Sequence, residues 1–529
     1  MLTEKNPSSR LWRVVLLLVL CVAGAAGLQT AAWVGFIGSD DMEYYLAGRA
    51  LSHSFWNVPD GFGGMRTAVS MPIALSLRIL GDHEWALILP SCLYALATVT
   101  VTFLSLARFV ALPAAVIPTM LFASLPVMAT TSTMAAADIA ELFWGVCGFW
   151  LAVESLLCGD SRRQSGLMLG SGACIAFAFA SRETSAAMII WLGAGFLLGY
   201  GLPRTKYLWS AVGFLGVVLL ECMYFAASAG DPFARFRALL ATRSHVSRMA
   251  VPPFTFDDTG NLRVYDLIDP FIMLVSKHAF GAFYWLLLAL LVLAWCWRKR
   301  DSQLPVARRQ ADQLIVPALA LGLIWAVFAA FALASMRIHA RYYLAPTYFF
   351  LVATSFWLYG RLGLQHWRRF SLAAITILVF TSLLGTWVDN RNPRFAERAL
   401  ADAAMRYRET IHTDKATAYV AAAFLHWRGG QPEQIVSTPP AAGALSFHVR
   451  SGLGRPAALR REGADDQRSN QVVLERFSTP PLLGGGLGAA MSGSSVVPRA
   501  VSSKLTSSRG SAELIRVGPS GDGAATAPN

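Results

Sequence analysis

Acidic side chains recur in this sequence at points where long apolar stretches begin or end. Asp40 and Asp41 directly follow the first apolar stretch, and Tyr44 comes soon after them. Asp138 stands alone between two later apolar stretches. A carboxylate can take a proton from a hydroxyl as a general base. These residues are therefore candidates for acid–base chemistry, although a pair such as Asp40 and Asp41 could also be ordinary solvated loop charge.

Arginines stand at two comparable points further along the chain. Arg182 and Glu183 lie between two apolar stretches. Residues 336–343, before a late apolar stretch, supply Arg337, His339, Arg341 and Tyr342. A guanidinium binds phosphate through two parallel hydrogen bonds. A local ion pair, or contacts with lipid headgroups, would explain the same residues without catalysis.

Eleven apolar stretches separate these polar points. An apolar stretch of about 20 residues crosses the hydrocarbon core of a bilayer as a helix. The predicted spans are residues 14–37, 85–107, 111–129, 141–158, 165–181, 184–200, 207–228, 279–297, 313–335, 344–360 and 371–388. The sequence therefore predicts an all-α polytopic membrane protein.

The basic residues between the spans predict its orientation. Cytoplasmic loops carry an excess of Lys and Arg, and Lys5, Arg10 and Arg13 precede the first span. Counted alternately from a cytoplasmic N-terminus, every short inside loop is basic. The acids and arginines named above then all lie at the outside face, and so does the C-terminus. The first span could instead be a cleaved signal peptide, which leaves the following loop outside as well.

The composition supports a membrane protein and excludes several other classes. Only 15% of the residues are charged and 55% are hydrophobic, whereas a soluble domain carries about 25% charged residues. The net charge of +13 comes from short basic clusters spread between apolar stretches, which argues against a nucleic-acid-binding patch. The seven cysteines form no CxxC pair, so a disulfide framework or a zinc finger is not expected.

Two outside loops are long, at about residues 38–84 and 229–278. Within the first loop, residues 43–53 are amphipathic and residues 68–80 are apolar but too short to span. Both are typical of helices that lie in the membrane interface. Glu221, inside the seventh span, is an intramembrane acid and thus a functional candidate, but a hydrogen bond to a neighbouring helix would explain it equally well.

The chain is predicted to have three parts. Residues 1–388 form the membrane-embedded domain, and residues 389–478 form a small extracytoplasmic domain. Residues 479–529 are rich in Gly, Ser, Ala and Pro and have no periodicity, so they are predicted to be disordered.

Several short segments resemble the membrane-embedded glycosyltransferases of the GT-C superfamily. The relevant types are the protein O-mannosyltransferases, the lipid A aminoarabinose transferases and the dolichol-phosphate-mannose-dependent mannosyltransferases. Residues 40–49 are similar to the acidic start of the first outside loop in those enzymes, with Asp41 in place of the usual Glu. Similar segments follow in order at residues 63–72, 138, 180–183, 230–233 and 341–346. The resemblance covers about residues 38–350.

The resemblance implies an inverting transfer of a sugar from a polyprenyl-phosphate donor to an envelope glycan, lipid or protein. Asp40 would be the catalytic base. Asp138, the second catalytic candidate, would orient the acceptor or share a divalent ion (Mg²⁺ or Mn²⁺) with Asp41, although the sequence does not require a metal. The substrate-binding candidates are Arg341, Arg337 and Arg182, which would hold the phosphate, together with Asp41, Tyr44, Arg66, Glu183, His339 and Tyr342.

Two other classes of protein compete with a transferase. A transporter or flippase of a lipid-linked substrate would have symmetric halves and charged groups near the middle of the bilayer. This sequence has no internal repeat, and its charged groups gather at one face. A non-catalytic assembly protein would explain the C-terminal region but not the acids. The sequence favours a bacterial inner membrane with the active site on the periplasmic side.

Overall fold

The structure is a computed structural model in which the chain forms two compact units, Met1–Asp389 and Asn390–Asn529. It describes residues 7–249, 265–301, 309–332, 339–359, 361, 365–389, 394–451, 471–479 and 511–517. The division between the units falls beside the predicted boundary at residue 388. The roles assigned to the three parts stay predictions.

The described residues of the first unit are almost entirely helical. Its helices are α1 (Pro7–Ala31), α2 (Asp40–His53), α3 (Phe62–Met65), α4 (Thr67–Leu80), α5 (Glu84–Phe109), α6 (Leu112–Ser124), α7 (Pro126–Thr131), α8 (Ala137–Leu157), α9 (Ser161–Ser181), α10 (Ala186–Leu198), α11 (Arg204–Ala229), α12 (Ala234–Met249), α13 (Tyr265–Ser276), α14 (Phe283–Asp301), α15 (Arg309–Ala332), α16 (Leu344–Tyr359) and α17 (Gln365–Asp389). Short 3-10 turns at Glu183–Ser185, His278–Phe280 and Ala340–Tyr343 precede α10, α14 and α16.

In the described residues, each predicted span overlaps a helix or, for residues 111–129, two helices. Seven helices of the described chain are long and apolar enough to cross a membrane: α1, α5, α8, α9, α11, α15 and α17. Large apolar side chains such as Leu215, Leu219 and Trp295 are more than half exposed on helix surfaces, which suits contact with lipid. The all-α polytopic membrane architecture is thus confirmed for the first unit. The number of eleven spans and the cytoplasmic N-terminus stay predictions.

The predicted third span is divided into α6 and α7. α6 ends at Ser124, and Pro126 occupies the first position of α7. A proline has no N–H to donate and disfavours a helical conformation in the residue before it. The chain therefore leaves the helix at Leu125, which has an extended ψ angle of 131°, and starts a new helix after it.

The core of the first unit lies between α5, α8, α15 and α16. Phe103, Phe149 and Trp325 are buried there. The hydroxyl of Tyr348 accepts a hydrogen bond from Trp150 Nε1 at 2.9 Å and lies 2.9 Å from the hydroxyl of Thr102. A buried polar group that has partners of this kind costs little, so these bonds fix the relative positions of three core helices.

α9 and α11 pack against each other through glycines. A Cβ atom added at Gly172 would overlap the backbone of Ser210, and one added at Gly213 would overlap the backbone of Leu169. Small residues let membrane helices approach closely enough for their backbones to touch. This close contact holds the C-terminal end of α9, at Ser181, near the C-terminal half of α11.

The helices predicted in the first outside loop are present as α2 and α4. α2 begins three residues earlier than the predicted residue 43, so that Asp40 is its first residue. Acidic residues in the first turn of a helix are stabilised by the helix dipole, and α2 has three of them. The contact between α2 and α4 includes Gly48, where a Cβ would meet the side chain of Ile73.

The second unit contains α18 (Phe395–Tyr407), α19 (Lys415–Trp427) and a five-stranded sheet. The strands are β1 (Ile411–His412), β2 (Ile435–Val436), β3 (Leu445–Ser451), β4 (Gln471–Ser478) and β5 (Ser511–Val517), in the spatial order β2-β1-β3-β5-β4. β1 pairs in parallel with β2 and β3, whereas β5 is antiparallel to both β3 and β4.

The prediction that residues 479–529 are disordered is wrong for residues 511–517. These residues form β5, whose partners include the pairs Phe447–Leu514 and Val473–Ile515. Ala512, Leu514 and Ile515 are buried. The average composition of the tail does not reveal this one short apolar segment, which forms a strand between β3 and β4. The rest of that tail, apart from Thr479 before it, lies outside the described residues.

Candidate active site

Asp40 and Arg341 form an ion pair at the start of α2. Arg341 Nη2 donates to Asp40 Oδ2 at 2.6 Å. The side chain of Asp40 is 45% exposed, whereas that of Arg341 is 14% exposed. The carboxylate of Asp40 is therefore accessible from solvent and lies beside the mostly buried guanidinium of Arg341.

Asp138 and Arg182 form a second ion pair, which is buried. Asp138 lies in the first turn of α8, and Arg182 directly follows α9. Arg182 Nη1 donates to Asp138 Oδ1, and the guanidinium of Arg182 lies 4.2 Å from the centre of the Tyr342 ring. Nε of Arg341 is 3.6 Å from Asp138 Oδ2. Arg341 is thus in contact with both acids, Asp40 and Asp138.

The two acids hold Arg341 in its charged form. Burial by itself would lower the pKa of Arg341, but the negative charges of Asp138 and Asp40 outweigh burial, so the pKa is raised. A permanently charged guanidinium at this place can stabilise an anion that develops or binds beside Asp40.

Arg66 joins the first outside loop to the turn that follows α9. Its Nη1 donates to the hydroxyl of Tyr44 at 2.6 Å, and its Nη2 donates to Glu183 Oε2 at 3.0 Å. Tyr44 is on α2, one helical turn after Asp40. Burial by itself would raise the pKa of Glu183, but the nearby Arg66 and Arg235 outweigh it, and the pKa is lowered.

Asp41 binds the backbone of the turn before α2, which the sequence does not predict. Its Oδ2 accepts a hydrogen bond from the backbone N–H of Ile37, and its Oδ1 accepts one from that of Ser39, both at 2.6 Å. The residue is 2% exposed. Two of its lone pairs therefore hold the turn that leads into α2, much as the acid of a capping box reaches back to the backbone before its helix.

The residues do not fit a divalent cation shared by Asp41 and Asp138. Both oxygens of Asp41 already accept backbone N–H groups, and Asp138 is in contact with Arg182 and Arg341. In the part of the chain that the structure describes, no group of three or more His, Cys, Asp or Glu residues could hold a metal ion. The positive charge between the acids is supplied by arginine.

Of the remaining predicted residues, Tyr342 and His339 belong to the part of the chain that the structure describes, whereas Arg337 does not. Tyr342 lies beside Arg182, as given above. His339 is exposed just before the 3-10 turn at Ala340–Tyr343, and its ring centre is 5.5 Å from that of Tyr342. Arg337 lies outside the described residues.

The structure adds three residues to this site that were not assigned to it from the sequence. Glu141, one turn after Asp138 on α8, accepts a hydrogen bond from the hydroxyl of Thr184 at 2.5 Å. Its spacing of three residues from Asp138 was the available signal. The sequence indicates that Glu221 is an intramembrane acid, but it does not predict that Glu221 lies near these residues. The sequence does not indicate that Arg235 belongs to the site, because a single arginine in a loop is normally exposed. In the structure its side chain is only 3% exposed.

The helical fold of the first unit, with acids and arginines gathered at one end of the helices, is similar to that of the GT-C membrane glycosyltransferases. Residues 68–228 match the family model described as dolichyl-phosphate-mannose-protein mannosyltransferase. No curated protein matches the chain in sequence. The family match confirms the resemblance to the GT-C superfamily that the short segments indicated.

Two solved structures have a similar fold. ArnT from Cupriavidus metallidurans, in the apo state, is 14% identical with a TM-score of 0.50, over 81% of this chain and 92% of that protein. The apo oligosaccharyltransferase of Archaeoglobus fulgidus is also 14% identical with a TM-score of 0.50. That match covers 78% of this chain but only 64% of the archaeal protein. At this identity the likeness concerns the fold alone.

Proposed function

We propose that this protein transfers a sugar from a polyprenyl-phosphate donor to a hydroxyl of an envelope glycan, lipid or protein. The observation that carries the proposal is the position of Asp40, whose carboxylate is 45% exposed beside a buried arginine. Asp138 and Arg182, by contrast, are buried and paired with each other. Asp40 is thus the acid that can meet an acceptor.

The reaction follows from this placement. Asp40 takes the proton of the acceptor hydroxyl as general base. The hydroxyl oxygen forms a bond to the anomeric carbon while the bond from that carbon to the phosphate oxygen breaks, which inverts the configuration. The electron pair leaves with the polyprenyl phosphate.

Arginine holds the leaving phosphate in this proposal. Among the described residues, the buried Nε of Arg66 has no hydrogen-bond partner, and the buried Nε of Arg341 has only the longer contact of 3.6 Å with Asp138 Oδ2. A phosphate oxygen would satisfy such an N–H group and neutralise the charge. Arg182 is assigned to holding Asp138, because the pair is buried, and Arg337 stays a candidate for the phosphate. No step is assigned to a metal.

Arg341 also orders the binding steps. While Arg341 donates to Asp40, its Nη2 occupies Oδ2 of the carboxylate. A donor phosphate competes for the same guanidinium, so donor binding frees Asp40 for the acceptor. The site lies at the outside ends of the helices in the orientation predicted from the basic loops, which places the reaction at the periplasmic face of a bacterial inner membrane.

The experiment is a transfer assay with a radiolabelled polyprenyl-phosphate hexose and membranes that contain the wild-type protein, Asp40→Asn or Asp82→Asn. Asp82 is a suitable control, because it lies between α1 and α5 like Asp40 and also pairs with an arginine, Arg49, at 3.1 Å. Loss of a general base lowers rates by about 100- to 10,000-fold. We expect that loss for Asp40→Asn and wild-type transfer for Asp82→Asn.

Two results would overturn the proposal. Wild-type transfer by Asp40→Asn would remove Asp40 from the reaction. A wild-type protein that neither binds polyprenyl-phosphate sugars after purification nor transfers from them would remove the transferase itself. Movement of the intact lipid-linked sugar across vesicles, without transfer, would instead support a flippase.

A further inference from the structure

Arg235 is a buried arginine on the second outside loop. It lies in the first turn of α12, but its side chain is only 3% exposed. Its Nη1 donates to both oxygens of Glu221, at 3.1 and 3.0 Å. Its Nη2 donates to the backbone carbonyl of Phe179, and its guanidinium lies 4.9 Å from the centre of that residue's ring.

Glu221 explains why an arginine is needed at this place. It lies eight residues before the end of α11, or about 12 Å along the helix at 1.5 Å per residue. An ionised carboxylate at such a depth is costly unless it is paired. Arg235 reaches back along α11 to supply that pair, and so fixes α12 against α11.

The two acids that contact Arg235 also contact two consecutive residues of the first outside loop. Glu183 Oε1 is 3.5 Å from Arg235 Nη2, while its Oε2 accepts the hydrogen bond from Arg66. Glu221 Oε1 accepts a hydrogen bond from the hydroxyl of Thr67 at 2.7 Å. Arg66, Glu183, Arg235, Glu221 and Thr67 therefore form a closed ring, which we call the Arg235 ring.

The Arg235 ring connects four separate parts of the chain. They are the start of α4, the turn after α9, the outside half of α11 and the start of α12. Two arginines and two glutamates balance each other, so the ring is electrically neutral. Networks of charge-assisted hydrogen bonds with low exposure restrict their members more than single pairs do.

The ring continues towards Asp40 through one hydrogen bond. Arg66 donates to Tyr44, which is 1% exposed and lies on α2, the helix that Asp40 begins. We propose that Arg235 is a positioning residue: it balances Glu221 and Glu183 so that Arg66 stays directed at Tyr44 and α2. Without Arg235, two acids compete for Arg66, and the guanidinium moves away from Tyr44.

The kinetic part of this inference rests on the proposed sugar transfer, whereas the placement of Arg66 does not. The test therefore combines a transfer assay with a local probe that needs no substrate. 3-Fluorotyrosine at position 44 of the full-length protein in detergent reports the hydrogen bond from Arg66 through its ¹⁹F chemical shift. The variants are Arg235→Ala, Glu221→Gln and the double variant that combines them.

Arg235→Ala should shift the ¹⁹F resonance and lower kcat by about 100-fold, since misplacement of a catalytic element by about 1 Å has an effect of that size. The double variant restores the charge balance between Arg66 and Glu183, while Gln at position 221 can still accept the hydrogen bond from Thr67. Both the resonance and kcat should then return most of the way to the wild-type values. A merely structural pair would give no such recovery, because the double variant lacks the same ion pair.

Arg237→Ala is the matched control. Arg237 lies two residues further along α12, is 69% exposed and pairs with Asp231. This variant should keep the wild-type resonance and kcat.

Each outcome decides a distinct point. An unchanged resonance in Arg235→Ala overturns the inference. A double variant that regains the resonance but not kcat shows that Arg235 acts on a substrate directly, and this also overturns it. If the wild-type protein shows no transfer while the resonance shifts and recovers, the inferred placement stands and the proposed function fails.

Discussion

Arg341 donates to Asp40 at 2.6 Å, although the two residues are 301 positions apart in the sequence. The contact joins the start of α2 to the 3-10 turn before α16. The position of the Asp40 carboxylate therefore depends on Arg341, which comes from a distant part of the membrane domain.

This relationship predicts a strong effect of substitutions at Arg341. Arg341→Ala should lower kcat/KM by about 100-fold or more, since it removes the positive charge beside the proposed base and the proposed leaving phosphate. Arg341→Lys should retain part of the activity, because an ammonium keeps the charge but not the planar pair of donors. The measurement is transfer from the radiolabelled donor at several donor concentrations.

Arg49→Ala serves as the control for Arg341. Arg49 is also an arginine of the first outside loop paired with an aspartate, but its side chain is 46% exposed. Its variant should have wild-type kinetics. An Arg341→Ala protein that behaves like Arg49→Ala would contradict the role given to Arg341.

The close approach of α3 to α2 predicts that Gly63 cannot be replaced freely. A Cβ at Gly63 would lie 2.5 Å from the backbone oxygen of Glu43, one turn after Asp40. Gly63→Ala should therefore destabilise the protein by about 1–3 kcal/mol, since a backbone must shift. It should also lower transfer, because the displaced helix carries Asp40.

Thermal unfolding in detergent measures the effect at Gly63. Gly166, within α9, is the control, because no atom of the described residues beyond its own helical turn lies within 4 Å of a Cβ added there. Gly166→Ala should leave stability unchanged or raise it by up to about 1 kcal/mol. Equal unfolding temperatures for the two variants would show that α2 and α3 do not approach as described.

The lowered pKa of Glu183 predicts a pH dependence. Its carboxylate is ionised in the folded protein at pH values where it would be protonated in the unfolded chain, whose Glu pKa is about 4.3. The ion pairs of Glu183 thus stabilise the fold fully above that pH, and the stabilisation is lost as the pH falls through the lowered folded pKa. Glu183→Gln should be less stable than wild type at neutral pH, and the difference should shrink in acid.

Unfolding temperatures of both proteins between about pH 3 and pH 7 test this expectation. Glu409→Gln is the control, since Glu409 is half exposed in the second unit and pairs with Arg516 at 3.2 Å. Exposed pairs contribute little, so this variant should follow wild type throughout. A constant difference between wild type and Glu183→Gln across the pH range would contradict the role of its charge.

Much of the architecture was predictable because a membrane imposes simple requirements on a sequence. A helix that crosses lipid must be apolar over most of its length, so each predicted span coincided with helical residues. The clustering of the polar residues at span ends indicated which of them meet at one face. The division of the third span at Leu125 was missed, because Pro126 is apolar and does not interrupt a hydropathy pattern.

The site itself was only partly predictable. Asp40, Asp138 and Arg182 were singled out because acids and arginines beside lipid are costly and need a reason. Their partners were not predictable, since ion pairs between distant residues depend on how helices pack. Asp41 looked like a second acid of the site, but its oxygens accept two backbone N–H groups of its own turn.

The sequence by itself determined that the first unit is a helical membrane domain with charged groups gathered where its spans end. Hydropathy and charge are local properties, and the bilayer acts on each segment separately. The tertiary structure alone decided that Arg341 contacts Asp40, that Arg235 is buried against Glu221, and that residues 511–517 complete a sheet. Those outcomes depend on which surfaces of distant segments fit together, and no local pattern encodes that choice.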